Sequence, residues 1–216
     1  MSSPIHLQPQ QELLLCDDDL PLLTAHAVLP CREARPSRFF NSYYRRCHRF
    51  FEERCRRDWF PAAQESFHRA LESASPIPQW QARLDAAVTL QQEQLVSLQL
   101  DTVLVTEAGQ QRFSQGDLWD LRTGLPLTLS DCFPTRTRWR RRLLHHAADQ
   151  IQTQEARFHP TWQQALPRAF RPRNFYLTEE GLHFFFPPDT IAPASAGCPT
   201  FCLPYDEKAG PFVPKM

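Results

Sequence analysis

The sequence predicts an α+β fold: a long N-terminal helix packed on an antiparallel β-sheet meander, with further helices between the sheet strands. Two patterns predict it. Helical three- and four-residue apolar spacing and strand-like alternation occupy separate blocks of the chain, instead of alternating as they do in a doubly wound parallel sheet. Glycine is scarce, at 6 of 216 residues, and proline plentiful, at 20. That composition leaves no GxxxxGK[ST] or GxGxxG loop to cradle a phosphate.

Leu20 to Leu29 is apolar-rich and ends at Pro30, the pattern of a first strand. Phe39, Phe40, Tyr43, Tyr44, Cys47, Phe50, Phe51 and Cys55 then form one aromatic stripe at helical spacing. The stripe is expected to bury Phe40, Tyr43, Tyr44, Cys47 and Phe51. Pro61 interrupts or restarts this helix, which runs on to about Ala74 and stops at Ser75-Pro76-Ile77-Pro78. Gln81 to Leu90 and Leu95 to Val105 alternate as strands, and Glu107 to Gln110 is a hairpin turn. Phe113 to Leu121 returns, and a turn at Leu121 to Gly124 leads to Leu125 to Leu129. Ser130-Asp131 can cap a short turn. Helices follow at Thr137 to Ala156 and Thr161 to Phe170, then a hairpin over Asn174 to Phe186 and a last strand over Thr200 to Leu203. The expected organisation is a flexible tail over 1–18, a single α+β domain over 19–207 and a C-terminal tail over 208–216.

Apolar residues make up 42% and charged residues 22%, near globular averages. A chain this long buries about 70% of its unfolded surface, so it needs no staples. No run approaches the ~18 apolar residues of a membrane span. Met1 to Asp19 lacks the basic start and the ~7–15-residue apolar run of a secretory signal. The expected compartment is therefore the cytoplasm. The seven cysteines, Cys16, Cys31, Cys47, Cys55, Cys132, Cys198 and Cys202, are odd in number and scattered, so reduced thiols are expected. Cys198 and Cys202 are closest, but they make no CxxC, and no metal ligand set or cofactor motif is expected.

The formal net charge is zero, yet its distribution is uneven. Arg32 to Arg57 carries nine arginines against Glu33, Glu52 and Glu53, and Cys132 to Arg173 carries nine against Asp149 and Glu155. These segments could pair with acidic ones inside the fold or form a basic partner surface. Arg138, Arg141, Arg142, Arg45 and Arg49 are the candidate contact residues.

Catalytic constellations are weaker. His145 and Asp149 are four apart and share a helical face with His146 beside them, a spacing suited equally to ligands and to a solvated polar face. Ser195 lacks the glycines of a nucleophile elbow. Asp117 and Asp120 are three apart, on opposite faces of a strand, which disfavours a carboxylate pair. Glu179-Glu180-Gly181 reads as a turn.

Near the C-terminus the chain reads Asn174-Phe175-Tyr176-Leu177-Thr178-Glu179-Glu180-Gly181-Leu182, continues through Ile191-Ala192-Pro193-Ala194-Ser195-Ala196-Gly197, and reaches Phe201-Cys202-Leu203-Pro204-Tyr205. Upstream stand Trp119-Asp120-Leu121-Arg122-Thr123-Gly124, Leu127-Thr128-Leu129-Ser130-Asp131-Cys132-Phe133 and Phe39-Phe40-Asn41-Ser42-Tyr43-Tyr44. These strings resemble a bacterial family, the domain of unknown function 3298, or RsiV-like C-terminal domain. The resemblance implies a long N-terminal helix on an antiparallel sheet. It includes the extracellular part of an anti-sigma factor that acts as a lysozyme receptor, and domains that accompany polysaccharide deacetylases. Neither role carries over residue by residue. The family's glycine-rich stretch is replaced by Gly109-Gln110-Gln111-Arg112, and Ser195 or its neighbour replaces a tyrosine. Gly124, Gly181 and Gly197 suit turns of positive φ.

Three functions follow. The favoured one is a non-catalytic binding or sensing module for a protein or cell-wall-related ligand. The second is a hydrolase or transferase using His145, His146, Asp117 or Asp120, which a cleft joining those groups would support. The third is binding of an acidic partner or nucleic acid through the arginine-rich helices. Nucleic acid is not the expected partner, because the aromatics of the first helix sit at core spacing and its arginines mostly on the other face.

Overall fold

A computed structural model describes residues 5–206, 208 and 210–214. The ends of the two expected tails, residues 1–4 and 215–216, lie outside them. The described chain contains ten strands and four α-helices. They pack as two compact units, one built from residues 5–86 and 101–112 and the other from 87–100 and 113–214.

In the first unit, β3 (Leu20–Cys31) is the organising strand. The stretch expected to be a flexible tail supplies two strands, β1 (His6–Pro9) and β2 (Leu13–Asp17), both antiparallel to β3. Leu13 and Leu15 are half-buried while Leu14 and Cys16 are exposed, the period-two pattern of a one-sided strand.

The helical region comprises α1 (Arg38–Arg54), one π turn (Cys55–Trp59) and α2 (Phe60–Glu72). The Asn41 side chain locks the entry to α1. Its Oδ1 accepts the Arg32 N–H at 3.0 Å and its Nδ2 donates to the Arg32 carbonyl at 2.8 Å. The π turn has two causes in the sequence. Pro61 has no N–H, and its ring clashes with the carbonyl four residues back in a regular helix. The buried residues Phe51, Cys55, Trp59 and Ala63 also repeat every four positions, which drifts about 40° per step around a 3.6-residue helix. One wider turn, closed by the Phe60 N–H on the Cys55 carbonyl, keeps them on one face.

The buried stripe is narrower than its spacing predicts. Phe40, Tyr44, Phe51 and Cys55 are buried, and Tyr43 and Cys47 are only partly so. Phe39 and Phe50 stand 64% and 58% exposed.

The long helical segment corrects one expected feature. β3 pairs with β4 (Trp80–Gln92) in parallel, with Leu23 opposite Trp80 and Val28 opposite Asp85. The large sheet is therefore mixed, not an all-antiparallel meander. Parallel neighbours need a crossover of a dozen or more residues, and residues 38–72 provide one. The hydrogen-bonded order is β1-β3-β4-β5-β6-β7, with β2 also on β3. Here β5 is Leu95–Thr106, β6 is Gly109–Asp120 and β7 is Leu125–Leu127.

The second unit holds α3 (Trp139–Gln152), α4 (Trp162–Ala169) and a separate three-stranded antiparallel sheet. That sheet is β8 (Phe175–Leu177), β9 (Gly181–Phe185) and β10 (Thr200–Pro204), in the order β10-β9-β8. Leu143, Ala147 and Ile151 of α3 share a core with Phe133, Phe170, Phe184, Phe186 and Phe201. Four-residue spacing puts the α3 trio on one face, and the remaining positions of the helix carry its arginines and histidines. Among the described residues, no helix is long and apolar enough to cross a membrane.

Candidate functional site

The resemblance motifs build turns. Asp120 is buried, and its Oδ1 accepts the Arg122 N–H at 2.8 Å while Oδ2 accepts the Thr123 hydroxyl at 2.9 Å. Gly124 completes this turn at φ +71°, a backbone state that costs glycine little. Asp131 closes the next turn by accepting the Thr128 N–H at 2.7 Å. Thr128, not Ser130, is the cap residue there, because the reciprocal capping box needs the acid three positions on. Gly181 differs from its expected role. It lies in β9, where a Cβ would sit 2.4 Å from the Leu203 carbonyl oxygen, so it serves close strand approach, not positive φ.

Asp117 and Asp120 are therefore not joined to the histidines. Asp117 accepts from Gln115 Nε2 at 3.1 Å, and Asp120 is spent on its own turn and on Arg122, 3.7 Å away. Ser195 lies in a single 3₁₀ turn, Ala194–Ala196.

α3 does bring several candidates together. Thr137, Arg138, Arg141, Arg142, His145, His146 and Asp149, with Leu203 from β10, line an open groove of about 500 Å³. A second hollow of about 620 Å³ flanks the same helix start, where Trp139, Arg140 and Leu144 join Arg138, Arg141 and His145.

The arginines differ in their partners. Arg142 reaches Asp206 at 3.3 Å. Arg140 donates to the Pro167 carbonyl at 3.1 Å and lies over the Phe170 ring. Arg138 and Arg141 have no side-chain hydrogen bond or ion pair among the described residues. Arg45 and Arg49 lie on α1, in the other unit. Arg45 is exposed, and Arg49 pairs with Glu53 at 3.8 Å.

The histidines are also committed. His145 Nδ1 and Asp149 Oδ2 are 2.8 Å apart and both side chains are well exposed, so the expected shared face is present. His146 Nε2 donates to the Cys202 carbonyl at 2.7 Å, tying α3 to β10.

Sequence reasoning missed one group. Glu180, His183 and Cys202 each offer a ligand atom, and these atoms all lie within 4.8 Å of one another. Antiparallel register puts Cys202 directly opposite His183. Burial holds the His183 imidazole below the ordinary histidine range, against the pull of the Glu180 charge. Burial and then the same carboxylate push the Cys202 thiol up.

The C-terminal part of the chain and the fold as a whole are similar to known proteins. The family described as "Protein of unknown function (DUF3298)" matches residues 130–206. Over that segment the chain is similar to the DUF3298 family. The segment takes in the groove, α3, α4 and the three-stranded sheet. A crystal structure of a DUF3298 family protein from Pseudomonas aeruginosa PAO1 is 22% identical, with a TM-score of 0.60 over 93% of this chain and 90% of that one. A member of the family from Bacteroides fragilis NCTC 9343 is 15% identical, with a TM-score of 0.53 over 92% and 90%. At such identities the likeness speaks to the DUF3298 fold alone. No curated protein matches the chain.

Proposed function

We propose that this protein is a non-catalytic binding module whose α3 groove receives a carboxylate-bearing ligand, presented by an acidic protein segment or a cell-wall fragment. The supporting observation is the pair Arg138 and Arg141: two guanidiniums at one groove with no partner among the described residues, between neighbours that have theirs. Four arginines at a helix start oppose the positive end of its dipole, at a few tenths of a kcal/mol or more each. An anion seated there removes that repulsion. The planar guanidinium fork matches a carboxylate with two parallel hydrogen bonds.

The groove offers poor chemistry by comparison. His146 has spent Nε2 on a backbone carbonyl, His145 faces Asp149 in the open, and Asp117 and Asp120 are engaged elsewhere. Among the described residues, no nucleophile, base and orienting group converge there.

The test is binding of a labelled glutamate-rich peptide and of soluble peptidoglycan fragments, in parallel, at low and high salt. The reading expects saturable, salt-sensitive binding in one arm. R138E/R141E should weaken it at least about 10-fold, as expected when a charge pair is reversed, while leaving the melting temperature unchanged. Equal binding by the double variant overturns the reading. So does turnover of a small substrate that H146A abolishes without unfolding the protein. Tighter binding of a single-stranded oligonucleotide than of either ligand moves the site to nucleic acid.

A further inference from the structure

We propose that Glu180, His183 and Cys202 form a zinc-binding site with one open coordination position. The three donors come from the β8–β9 turn, β9 and β10, and only the strand register brings them together. One carboxylate oxygen, one imidazole nitrogen and one thiolate are the N, O and S donors that Zn²⁺ accepts. Two ligand charges neutralise the dication without surplus. Zn–N of about 2.0 Å and Zn–S of about 2.3 Å at tetrahedral angles need donor separations near 3.5 Å. The present upper limit of 4.8 Å closes to that by small side-chain motions, chiefly of Glu180, which is exposed on its turn.

The surroundings of His183 are those of a held ligand. Tyr176 stacks on the imidazole, with centroids 4.9 Å apart and planes within 3°. Thr178 Oγ1 is 3.0 Å from His183 Nε2, accepts the Glu180 N–H at 3.2 Å and faces the Gly181 carbonyl at 3.4 Å. A hydroxyl has one proton and two lone pairs. Donating to Gly181 and accepting from Glu180 and from Nε2–H uses all three, which leaves the imidazole lone pair on Nδ1. A ligand histidine whose other ring nitrogen is anchored this way is the usual second layer of a metal site. Binding displaces the Cys202 thiol proton to solvent, and the histidine and carboxylate bind as they stand. Three protein ligands with one free position describe a site that can take water or another donor, in contrast to a closed four-ligand structural site.

The test uses the full chain, stripped with a chelator under reducing conditions. Zn²⁺ is titrated against a chromophoric indicator, and Co²⁺ is followed by its thiolate-to-metal charge-transfer band in the near ultraviolet. One ion per chain is expected, with a charge-transfer band. C202S and H183Q should each weaken binding by about 100-fold or more and T178A by about 10-fold, direct ligands counting for more than their supports. C198S and H145A should leave Zn²⁺ binding unchanged. Glu180 is exposed, so E180Q keeps the test open if C202S or H183Q fails to fold; it should weaken Zn²⁺ about 10-fold with an unchanged melting temperature. Absence of the charge-transfer band in the wild type, wild-type affinity in E180Q, or binding lost in H145A and retained in H183Q overturns the proposal.

Discussion

The backbone of Gly116 lies against the carbonyl of Phe175 so closely that a Cβ at residue 116 would sit 1.6 Å from its oxygen. The clash is with main chain, so no rotamer can relieve it. G116A is expected to cost about 3 kcal/mol in chemical denaturation, at the upper end of overpacking. Nearby, Ser97 is fully buried and its Oγ accepts the Leu177 N–H at 2.8 Å. S97A leaves that amide without its acceptor, for a loss of about 1–3 kcal/mol. If both variants match the wild type, β8 does not dock in this way.

Helix α1 provides a sharper contrast between adjacent rings. Phe51 is 6% exposed and touches the buried Trp59 ring edge-on, whereas Phe50 is 58% exposed. F51A should cost about 3–5 kcal/mol, and F50A should stay within about 0.5 kcal/mol. Equal effects would mean the helix is rotated from the face described.

Thiol reactivity should divide the cysteines. Burial pushes the Cys55 thiol up to about 12, with the Glu52 charge adding to it. Burial and then Asp131 do the same to Cys132, also to about 12. The thiolate is the reactive form, so both should resist alkylation near neutral pH in the native protein. The exposed Cys16 should react first. Mass spectrometry of alkylated native and denatured protein checks the order. Modification of Cys132 as fast as Cys16 contradicts it.

Glu107 sets a pH dependence. Partial burial raises its carboxyl, but bonds from the Ser66 hydroxyl, its own backbone and Trp80, with the Arg69 charge, outweigh that and hold it below the ordinary 4.5. Trp80 Nε1–H donates to Oε2 at 2.7 Å, and the Ser66 hydroxyl donates to Oε1. The unfolded chain then binds the proton more tightly than the folded one, so this contribution is present above pH 4.5 and lost as pH falls below it. E107Q should be less stable than the wild type at neutral pH, with the gap closing below pH 4.5. A gap independent of pH would show that the hydrogen bonds act through shape and not charge.

Much of this architecture could be read from residue pattern. The α3 face of Leu143, Ala147 and Ile151, the hairpins at residues 107–108 and 178–180 and the pairing of His145 with Asp149 all follow from spacing within one element. What escaped reading is non-local. β1 and β2 are short and mostly exposed, so their alternation is faint against the polar residues around them. The parallel β3–β4 pair depends on which way the chain returns after residues 38–72. Apolarity alone does not separate Phe50 from Phe51, because a helix face is decided by what packs against it. Glu180, His183 and Cys202 come together only through strand register, which leaves no mark in the spacing of residues 180, 183 and 202.

The two N-terminal strands guard the molecule against itself. β3 pairs with β4 on one side, and on the other β1 covers Val28 to Cys31 while β2 covers Leu20 to Ala25. Without them, a 12-residue strand carrying Leu22, Leu23 and Leu29 would present a row of unpaired amides and carbonyls to any other strand. Such a bare margin templates self-association. Residues 6–17 thus act as a built-in chaperone for β3, and a chain beginning at Asp18 should form concentration-dependent aggregates, seen by light scattering, where the full chain does not.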